Sequence, residues 1–238
     1  MQGIIMSADQ LTLHRKLIDR LAYAHDASMY RLVPEAIARP ENESAVKALL
    51  EYAHSSGTSI TFRAAGTSLS GQAVTKGIIA EVVRGWKRHE ILDNGAAIRM
   101  QPGVIGGRAN LHLQPYHRRI GPDPASLESA MIGGIISNNS SGMVCGVKHN
   151  SYHTLRHIRF ILANGNLYDT SNADDYGKFL DVEKDLCTGL LLCRKEIATN
   201  SALNNKVRRK YSIKNTLGYS LNAFIDFDHP LDIFAHLL

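Results

Sequence analysis

The sequence predicts an α+β fold, with a small α/β lobe followed by a lobe of antiparallel sheet and helices. The first observation is the order of elements in residues 41–83, where a helical apolar stripe, a β-rich run, a glycine-rich loop and a second β-rich run follow one another. The second is a pair of Asn-Gly turns, at residues 93–95 and 163–166, each lying between short apolar runs and each typical of a β-hairpin.

The composition narrows the class of protein. The chain of 238 residues is 44% hydrophobic and 21% charged. These values are those of an ordinary globular protein, and they exclude a disordered tail, a collagen and a disulfide-stapled miniprotein. The formal net charge of +5 allows a nucleic-acid surface but does not argue for one, since an anionic small ligand explains it equally well.

The sequence predicts neither a signal peptide nor a membrane span. No apolar run approaches the ~20 residues of a membrane span, and the first ten residues have no basic region of the signal-peptide kind. The three cysteines, Cys145, Cys187 and Cys193, form no Cys-x-x-Cys pair and are too few for an iron–sulfur cluster. We therefore expect a cytoplasmic protein with reduced thiols and no membrane span.

Residues 1–28 are predicted to form an N-terminal helix. Ser7 and Gln10 have the spacing of a capping box. Apolar residues then recur at helical spacing, at Leu13, Leu17, Ile18, Leu21 and Ala24.

Residues 29–90 are predicted to form the α/β lobe. A helix is expected after Pro40, with Gly57 as its end. Two strands are expected, at residues 59–62 and 77–83, because both runs are rich in β-branched residues.

Residues 91–172 are predicted to form the antiparallel lobe, which contains both hairpins. Residues 173–238 are expected to hold a helix and an incomplete C-terminal part of the same domain. The helix is predicted over residues 175–197, and the polar, basic residues 200–210 are expected to cross the surface.

The loop between the two strands of the α/β lobe, residues 63–72, is called the glycine-rich loop below. Its glycines and hydroxyl residues can turn several backbone N–H groups towards an anion. Gly66 and Gly71 have the spacing of a phosphate-binding Walker A loop, but Gln72 and Ala73 stand where lysine and serine or threonine are required. The chain also lacks the GxGxxG fingerprint, and a flexible loop without a ligand is an equally open interpretation.

A second informative stretch, residues 121–142, is called the second glycine segment below. Two prolines stiffen its start, and Gly133 with Gly134 permits close approach of the backbone to a flat ligand or to a neighbouring helix. A helix packed in the core through its glycines is the alternative. That alternative accounts for the glycine pair but not for the dense amides and hydroxyls at residues 137–141.

The two stretches together, in this order, resemble the flavin-binding domain of FAD-linked oxidases, whose fold is that of vanillyl-alcohol oxidase and p-cresol methylhydroxylase. The chain is most similar to the D-lactate, glycolate and D-2-hydroxyglutarate dehydrogenase branch of that family. Further matches are Pro34-Glu35 with Arg39-Pro40, the turn at residues 101–104 and the Leu-Ala-Asn-Gly run at residues 162–165. The resemblance implies a two-lobed p-cresol methylhydroxylase-type FAD-binding domain.

The resemblance also implies which residues bind FAD. Backbone N–H groups of the glycine-rich loop would hold the pyrophosphate, and the second glycine segment would line the flavin and ribityl side. The implied cofactor-binding residues are Arg63, Ala64, Ala65, Gly66, Thr67, Ser68, Leu69, Ser70, Gly71, Gln72, Pro122, Asp123, Ala125, Ser126, Ser129, Ala130, Gly133, Gly134, Asn138, Asn139 and Gly142. Family loops often carry glycine where Ala64 or Ala65 stands, and alanine is tolerated there if its φ is negative. The loop has no histidine or cysteine, so FAD is expected to bind it non-covalently.

The activity implied by the resemblance is oxidation of a small 2-hydroxy acid, with hydride transfer to FAD and an electron acceptor that the sequence does not identify. In the family, the substrate-binding domain lies mainly beyond the matched region, so the catalytic residues are unknown and the chain alone is expected not to oxidise the acid. The apolar end, Leu237-Leu238, is expected to dock on a partner surface. Two alternatives stay open: a non-catalytic FAD-binding module or remnant, and, less favoured, a nucleic-acid-binding protein.

Several residues invite other functions. His149, His153 and His157 are spaced four apart, but loop-forming residues separate them, so no metal site is expected. Cys145 is expected to be a small buried residue. The basic run at residues 206–210 is expected to be solvated rather than to bind nucleic acid, because no aromatic platform accompanies it.

Overall fold

The computed structural model describes residues 12–215 and 219–237, which divide into two compact units. The described residues of the first unit run up to 119 and include 126–134 and 161–166, whereas those of the second are 120–125, 135–160 and the described residues from 167 onwards. Both units mix helices with short strands, which confirms the α+β class. The predicted capping box at Ser7 and Gln10 lies outside the described residues, as does Leu238.

The first unit is built on a four-stranded sheet. Its strands, in the spatial order β1-β2-β4-β3, are β1 (Leu13–His14), β2 (Ala36–Ala38), β4 (Ile78–Glu81) and β3 (Ile60–Arg63). Strands β2, β4 and β3 run parallel, and β1 pairs with β2 in the antiparallel sense. The parallel arrangement matters for function, because the carboxyl ends of all three strands meet at one edge of the sheet.

This sheet has an apolar core on both faces, as parallel sheets do. Ile37 and Ile79 are fully buried, and so are the members of a cluster made of Ala36, Ala38, Leu49, Ile78 and Ala80. Leu49 comes from helix α2 (Glu43–Ser56), which follows the short helix α1 (Leu17–Ala22) along the chain.

Local sequence signals account for both ends of α2, and the end at Gly57 was predicted. The Asn42 side chain caps the helix by accepting a hydrogen bond from the N–H of Ala45 at 2.9 Å. The helix ends at Gly57, whose φ of 65° lies in the left-handed region that favours glycine.

The rest of the first unit begins with the predicted hairpin of β5 (His89–Leu92) and β6 (Ala97–Met100), which are antiparallel. The chain turns between them at Asn94 and Gly95, both with positive φ. Helix α3 (Gly106–Leu113) follows along the chain, with a 3-10 turn at Gln114–Tyr116 after it. Helix α4 (Ile132–Ser137) begins in the first unit, and its residues from Ile135 onwards belong to the second.

The second unit is mainly helical. Its helices are α5 (Ser151–Thr154), α6 (Ala173–Val182), α7 (Lys184–Thr199), α8 (Ser201–Tyr211), α9 (Ala223–Asp226) and α10 (Pro230–His236). The second predicted hairpin consists of β7 (Arg159–Ile161) and β8 (Leu167–Asp169); its turn at Gly165, with a φ of 84°, is among residues 161–166 of the first unit. The buried rings of Tyr168 and Phe179 pack edge to face at 4.9 Å in the core of this unit.

Three details differ from the sequence-based predictions. Leu13 lies in a strand rather than a helix, because its backbone pairs with Ala38 at the edge of the sheet. The single helix predicted over residues 175–197 is two helices, since Glu183 leaves the helical conformation with a ψ of 45°. Residues 200–210, predicted only to cross the surface, form a regular helix that Asn200 caps, and most of their side chains are exposed.

No helix in residues 12–215 and 219–237 is both long enough and apolar enough to cross a membrane.

Candidate functional site

The glycine-rich loop leaves the sheet at the edge where the parallel strands end. It begins at Arg63, the last residue of β3, beside Glu81, the last residue of β4. Arg39, which follows β2, donates from Nε to Oε2 of Glu81 at 2.8 Å, and the Tyr23 hydroxyl donates to Oε1 at 2.6 Å. In open parallel sheets this edge is where ligands bind, so the loop has the expected position for a ligand site.

Arg63 forms the base of the loop and is half-buried. Its Nη1 donates to the carbonyl oxygens of Tyr23 at 3.2 Å and Ala73 at 3.3 Å, and its guanidinium lies 5.4 Å from the centre of the Tyr23 ring. Burial lowers the pKa of Arg63, an effect that the charge of Asp26 opposes. Because a guanidinium stays charged at neutral pH even so, the loop has a fixed positive charge at its base.

The start of the loop offers free backbone donors. Among the residues that the structure describes, no acceptor takes a hydrogen bond from the N–H groups of Gly66, Thr67, Ser68 or Leu69. The Leu69 side chain is 79% exposed, whereas Gly66, Thr67 and Ser68 are partly buried. Free N–H groups beside a half-buried guanidinium are a donor set that suits a phosphate or pyrophosphate.

Hydrogen bonds within the loop fix the conformation of its second half, residues 68–72. The Ser68 hydroxyl accepts from the N–H of Ser70 at 3.1 Å and from that of Gln72 at 3.3 Å, and donates to the Gln72 side chain at 2.9 Å. These bonds fold the loop back on itself without using the donors at its start. The loop is therefore shaped by the protein before any ligand binds.

Both loop glycines are required by the protein itself. Gly66 and Gly71 have φ values of 69° and 75°, in the left-handed region. A side chain at Gly66 would lie 2.6 Å from Nη2 of Arg63, and one at Gly71 would lie 2.6 Å from Cδ2 of Tyr30. Ala64 and Ala65 have no positive φ, so alanine fits at both positions, as predicted.

Part of the second glycine segment, residues 126–134, lies in the first unit with the loop. The Ser126 carbonyl accepts from the N–H groups of Ser129 at 2.9 Å and Ala130 at 2.7 Å. Gly133 packs against Pro102, because a Cβ there would lie 2.7 Å from the proline Cβ. Gly134 is different: it is exposed, and a Cβ would meet nothing within 4 Å.

The rest of the segment lies in the second unit, where Asp123 organises a turn. Its carboxylate accepts from the N–H groups of Val144 and Cys145, each at 3.1 Å. Burial works to raise the pKa of Asp123, but the donors from Cys145 and Val144 outweigh it, so that this pKa lies below its usual value. Lys214 adds a bond to the carbonyl of Gly142 at 3.0 Å.

Asn139 and Cys145 are held by protein groups. The Asn139 amide nitrogen donates to the Ser220 hydroxyl at 3.2 Å, and its oxygen accepts from the N–H of Tyr152 at 3.0 Å. Cys145 is buried, and its sulfur accepts from the N–H of Gly142 at 2.9 Å. These side chains shape the segment, whereas Ala125 and Asn138 are exposed.

Residues 34–171 match the family described as FAD binding domain, a match that covers more than half of the chain and includes the whole glycine-rich loop and the whole second glycine segment. The chain belongs to this family.

Curated relatives of this FAD-binding domain are oxidoreductases by name. The chain is 30% identical over 156 residues to D-2-hydroxyglutarate dehydrogenase of Escherichia coli K12, which covers 64% of this chain and 15% of the relative. It is 32% identical over 120 residues to the glycolate oxidase subunit GlcD of the same strain, covering 50% of this chain and 24% of the subunit. The D-lactate dehydrogenase of Archaeoglobus fulgidus is 27% identical over 157 residues, 61% of this chain and 34% of that enzyme. The chain thus spans at most about a third of each of these relatives.

Solved structures place the FAD-binding domain in the p-cresol methylhydroxylase-type fold. The 6-hydroxy-D-nicotine oxidase of Arthrobacter nicotinovorans matches with a TM-score of 0.60 at 19% identity, over 71% of this chain and 37% of that chain. The glucooligosaccharide oxidase of Acremonium strictum, which carries a 6-S-cysteinyl, 8α-N1-histidyl FAD, matches with a TM-score of 0.59 at 16% identity, over 71% and 36% of the two chains. The predicted family and fold class are confirmed.

The histidines considered as metal ligands in the sequence analysis have the following positions in the structure. The part of the chain that the structure describes has no group of three or more His, Cys, Asp or Glu side chains that could hold a metal ion. His153 lies in α5, where its Nδ1 is 2.9 Å from Oδ1 of Asn150, and His157 lies outside β7.

Sequence patterns did not single out Tyr23, Asp26 and Tyr30, which all contact the glycine-rich loop or its flanks. The signal that could have found Asp26 is the Asp-x-Ser run at residues 26–28, which is typical of a side chain that bonds to the backbone two residues on.

Proposed function

We propose that this chain is the FAD-binding domain of a flavin-dependent oxidoreductase that oxidises a small 2-hydroxy acid of the D-lactate, glycolate or D-2-hydroxyglutarate type. The observation that carries the proposal is the row of N–H groups at Gly66–Leu69 that have no acceptor among the described residues. They lie beside the half-buried guanidinium of Arg63, at the edge where the parallel strands end. The substrate class rests on the names of the curated relatives. When bound, the flavin would supply the redox chemistry by accepting a hydride from the α-carbon of the acid.

The domain's own residues would bind and orient the cofactor. In this proposal the glycine-rich loop, residues 63–72, holds the pyrophosphate through backbone donors. The second glycine segment contributes Pro122, Asp123, Ala125, Ser126, Ser129, Ala130, Gly133, Gly134, Asn138, Asn139 and Gly142. Arg63 and Asn139 shape the backbone, since Nη1 of Arg63 donates to two carbonyl oxygens and the Asn139 amide nitrogen donates to the Ser220 hydroxyl.

The proposed FAD is non-covalent at the loop. The glycine-rich loop contains no histidine or cysteine to which a flavin could be joined. Cys145 in the second glycine segment is buried, and its sulfur bonds to the backbone of Gly142. The proposed cytoplasmic location is supported by three free cysteines, none of which forms a disulfide among the described residues.

The deciding experiment is a titration of the apo-protein with FAD, FMN and NAD, followed by calorimetry or flavin fluorescence. Binding and not turnover is the measurement, because the chain spans at most about a third of the relatives' length. FAD should bind most tightly, since only FAD offers both the pyrophosphate and the flavin. Tighter binding of NAD would contradict the proposal.

A matched pair of variants tests the loop directly. Leu69→Asp places a negative charge among the free N–H groups, and we expect it to weaken FAD binding by about tenfold or more, with a smaller effect at high salt. Leu69→Asn has the same shape without the charge and should bind FAD nearly as the wild type does. Neither change should shift the melting temperature much, because Leu69 is 79% exposed. Equal FAD affinity of the two variants would show that the phosphates of the cofactor do not bind at this loop.

A further inference from the structure

The glycine-rich loop is bonded to a part of the chain that lies outside the matched family region. Residues 23–30, called the anchor segment below, precede the matched residues 34–171. The N–H of Ala27 donates to the carbonyl of Gly66 at 3.0 Å, inside the loop. On the far side of the loop, the N–H of Ala73 donates to Oδ2 of Asp26 at 3.3 Å. The anchor segment therefore contacts the loop within its length and at its end.

The base of the loop is joined to the same segment. Nη1 of Arg63 bridges the carbonyl oxygens of Tyr23 and Ala73, so one guanidinium connects the start of the anchor segment with both ends of the loop. The Tyr23 ring lies under this guanidinium at 5.4 Å. Residues at 23, 63 and 73 are thus held by a single side chain.

Tyr30, at the end of the anchor segment, packs against the last turn of the loop. Its Cδ2 would lie 2.6 Å from a Cβ at Gly71, so the ring rests directly on the glycine backbone. The ring is still 53% exposed, so it forms part of the surface beside the loop.

Asp26 has the central place in these contacts. Its Oδ1 accepts from the N–H of Ser28 at 2.9 Å and from the Ser28 hydroxyl, while Oδ2 accepts from Ala73. Burial works to raise the pKa of Asp26, but the Ser28 and Ala73 donors and the charge of Arg63 outweigh it, so that this pKa lies below its usual value. At neutral pH the carboxylate is charged and bonds to both the anchor segment and the chain just after the loop.

We propose that the anchor segment is a part of the cofactor site, in which Asp26 is the positioning residue that holds the glycine-rich loop in its FAD-binding shape. The inference rests on the proposed function. Asp26 does not touch the cofactor in this proposal; it acts through Ala73 and, with Arg63, through the base of the loop. The physical reason is preorganisation, because free N–H groups bind an anion tightly only if their directions are set beforehand.

The test compares FAD affinity across three variants. Asp26→Ala removes both acceptors, and we expect it to weaken FAD binding by about tenfold or more, the usual size for loss of a charged hydrogen-bond group. Asp26→Asn keeps one acceptor oxygen and should recover part of the affinity. The matched control is Asp169→Ala, because Asp169 bonds to the N–H of Ser171 at 2.8 Å and to its hydroxyl in the same way, in the second unit. This control should leave FAD affinity unchanged.

Amide hydrogen exchange distinguishes a positioning role of Asp26 at the loop from a general contribution to the stability of the fold. In the wild type, FAD should slow amide exchange in the anchor segment as well as in residues 66–72. In apo Asp26→Ala, the loop amides should exchange faster while core amides of the sheet keep their protection. If Asp26→Ala does not fold, Tyr30→Ala replaces it, since a ring that is 53% exposed can be removed at little cost to the fold, and it should also weaken FAD binding.

The outcomes separate this inference from the proposed function. A wild type that binds FAD, together with Asp26→Ala and Tyr30→Ala variants of equal affinity and no protection of residues 23–30, would overturn the inference and leave the proposed function standing. A wild type that binds no FAD would overturn the proposed function and the inference with it. Weakened binding in the Asp26 variants with an unaffected Asp169→Ala supports both.

Discussion

Gly142 lies so close to Asp123 that only glycine fits at position 142. A Cβ at residue 142 would overlap the carbonyl oxygen of Asp123 and Oδ1 of its carboxylate. The same carboxylate accepts the N–H groups of Val144 and Cys145, so the turn that follows Gly142 closes over Asp123. The glycine therefore permits the close approach on which this turn depends.

Gly142→Ala should destabilise the protein strongly. Because backbone and carboxylate oxygens surround the site, the overlap cannot be relieved by a side-chain rotation, and we expect a loss of at least about 2 kcal/mol in the free energy of unfolding. Urea denaturation measures it. Gly189→Ala is the control, since this exposed glycine lies inside α7 and a Cβ there meets nothing within 4 Å. That control should gain about 0.5–1 kcal/mol. A Gly142→Ala variant as stable as the wild type would contradict the geometry.

Gly134→Ala should separate stability from cofactor binding. Gly134 lies in α4 with open space around its Cα, so alanine should stabilise the helix by about 0.5–1 kcal/mol. If the flavin approaches this backbone as proposed, the added methyl group should weaken FAD binding by about tenfold. Thermal denaturation and FAD titration give the two numbers. Gly189→Ala should show the stabilisation without the loss of affinity, and a Gly134→Ala variant with unchanged affinity would remove this residue from the proposed site.

The three cysteines should differ in reactivity. Cys193 is exposed, whereas Cys145 and Cys187 are buried. Burial also raises the pKa of Cys187, which further lowers its thiolate fraction. A chromogenic disulfide reagent should therefore label one thiol quickly in the native protein and three after unfolding. Cys193→Ser should abolish the fast phase, and rapid labelling of two or more thiols in the native state would contradict the burial.

Stability should fall above pH 10 in part through Tyr176. Burial, with the hydrogen bond to Asp232, raises the pKa of Tyr176 from 10.0 to about 12. Between these two values the unfolded chain releases a proton that the folded protein keeps, so the free energy of unfolding decreases as the pH rises through this window. Burial raises the pKa of Tyr152 and Tyr168 as well.

Tyr176→Phe tests this pH dependence. The variant should lose less stability than the wild type between pH 10 and 12, although it is less stable at neutral pH by about 1 kcal/mol because a hydrogen bond is missing. Urea denaturation at a series of pH values gives both slopes. Identical slopes for the two proteins would show that Tyr176 titrates normally in the folded state.

Sequence patterns alone predicted the features that depend on local chemistry. The end of α2 at Gly57 was predicted because a left-handed glycine acts within a few residues of the chain, whereas the Asn42 cap, although equally local, was not predicted. The Asn-Gly turn between β5 and β6 follows from the positive φ that these residues adopt readily. The glycine-rich loop and the second glycine segment were found in the same way, as runs of small and polar residues of unusual density.

Only the tertiary structure decided the features that depend on residues distant in sequence. Leu13 has helical spacing with its neighbours, yet it forms a strand because the backbone of Ala38 is available for pairing. The local Asp-x-Ser run indicates the bond from Asp26 to Ser28 but not its role at the loop, since its partners Arg63 and Ala73 lie far along the chain. Such contacts form only when the folded chain brings together residues that are dozens of positions apart, at a cost in loop-closure entropy. A pattern of neighbouring residues does not identify which distant residue will be the partner.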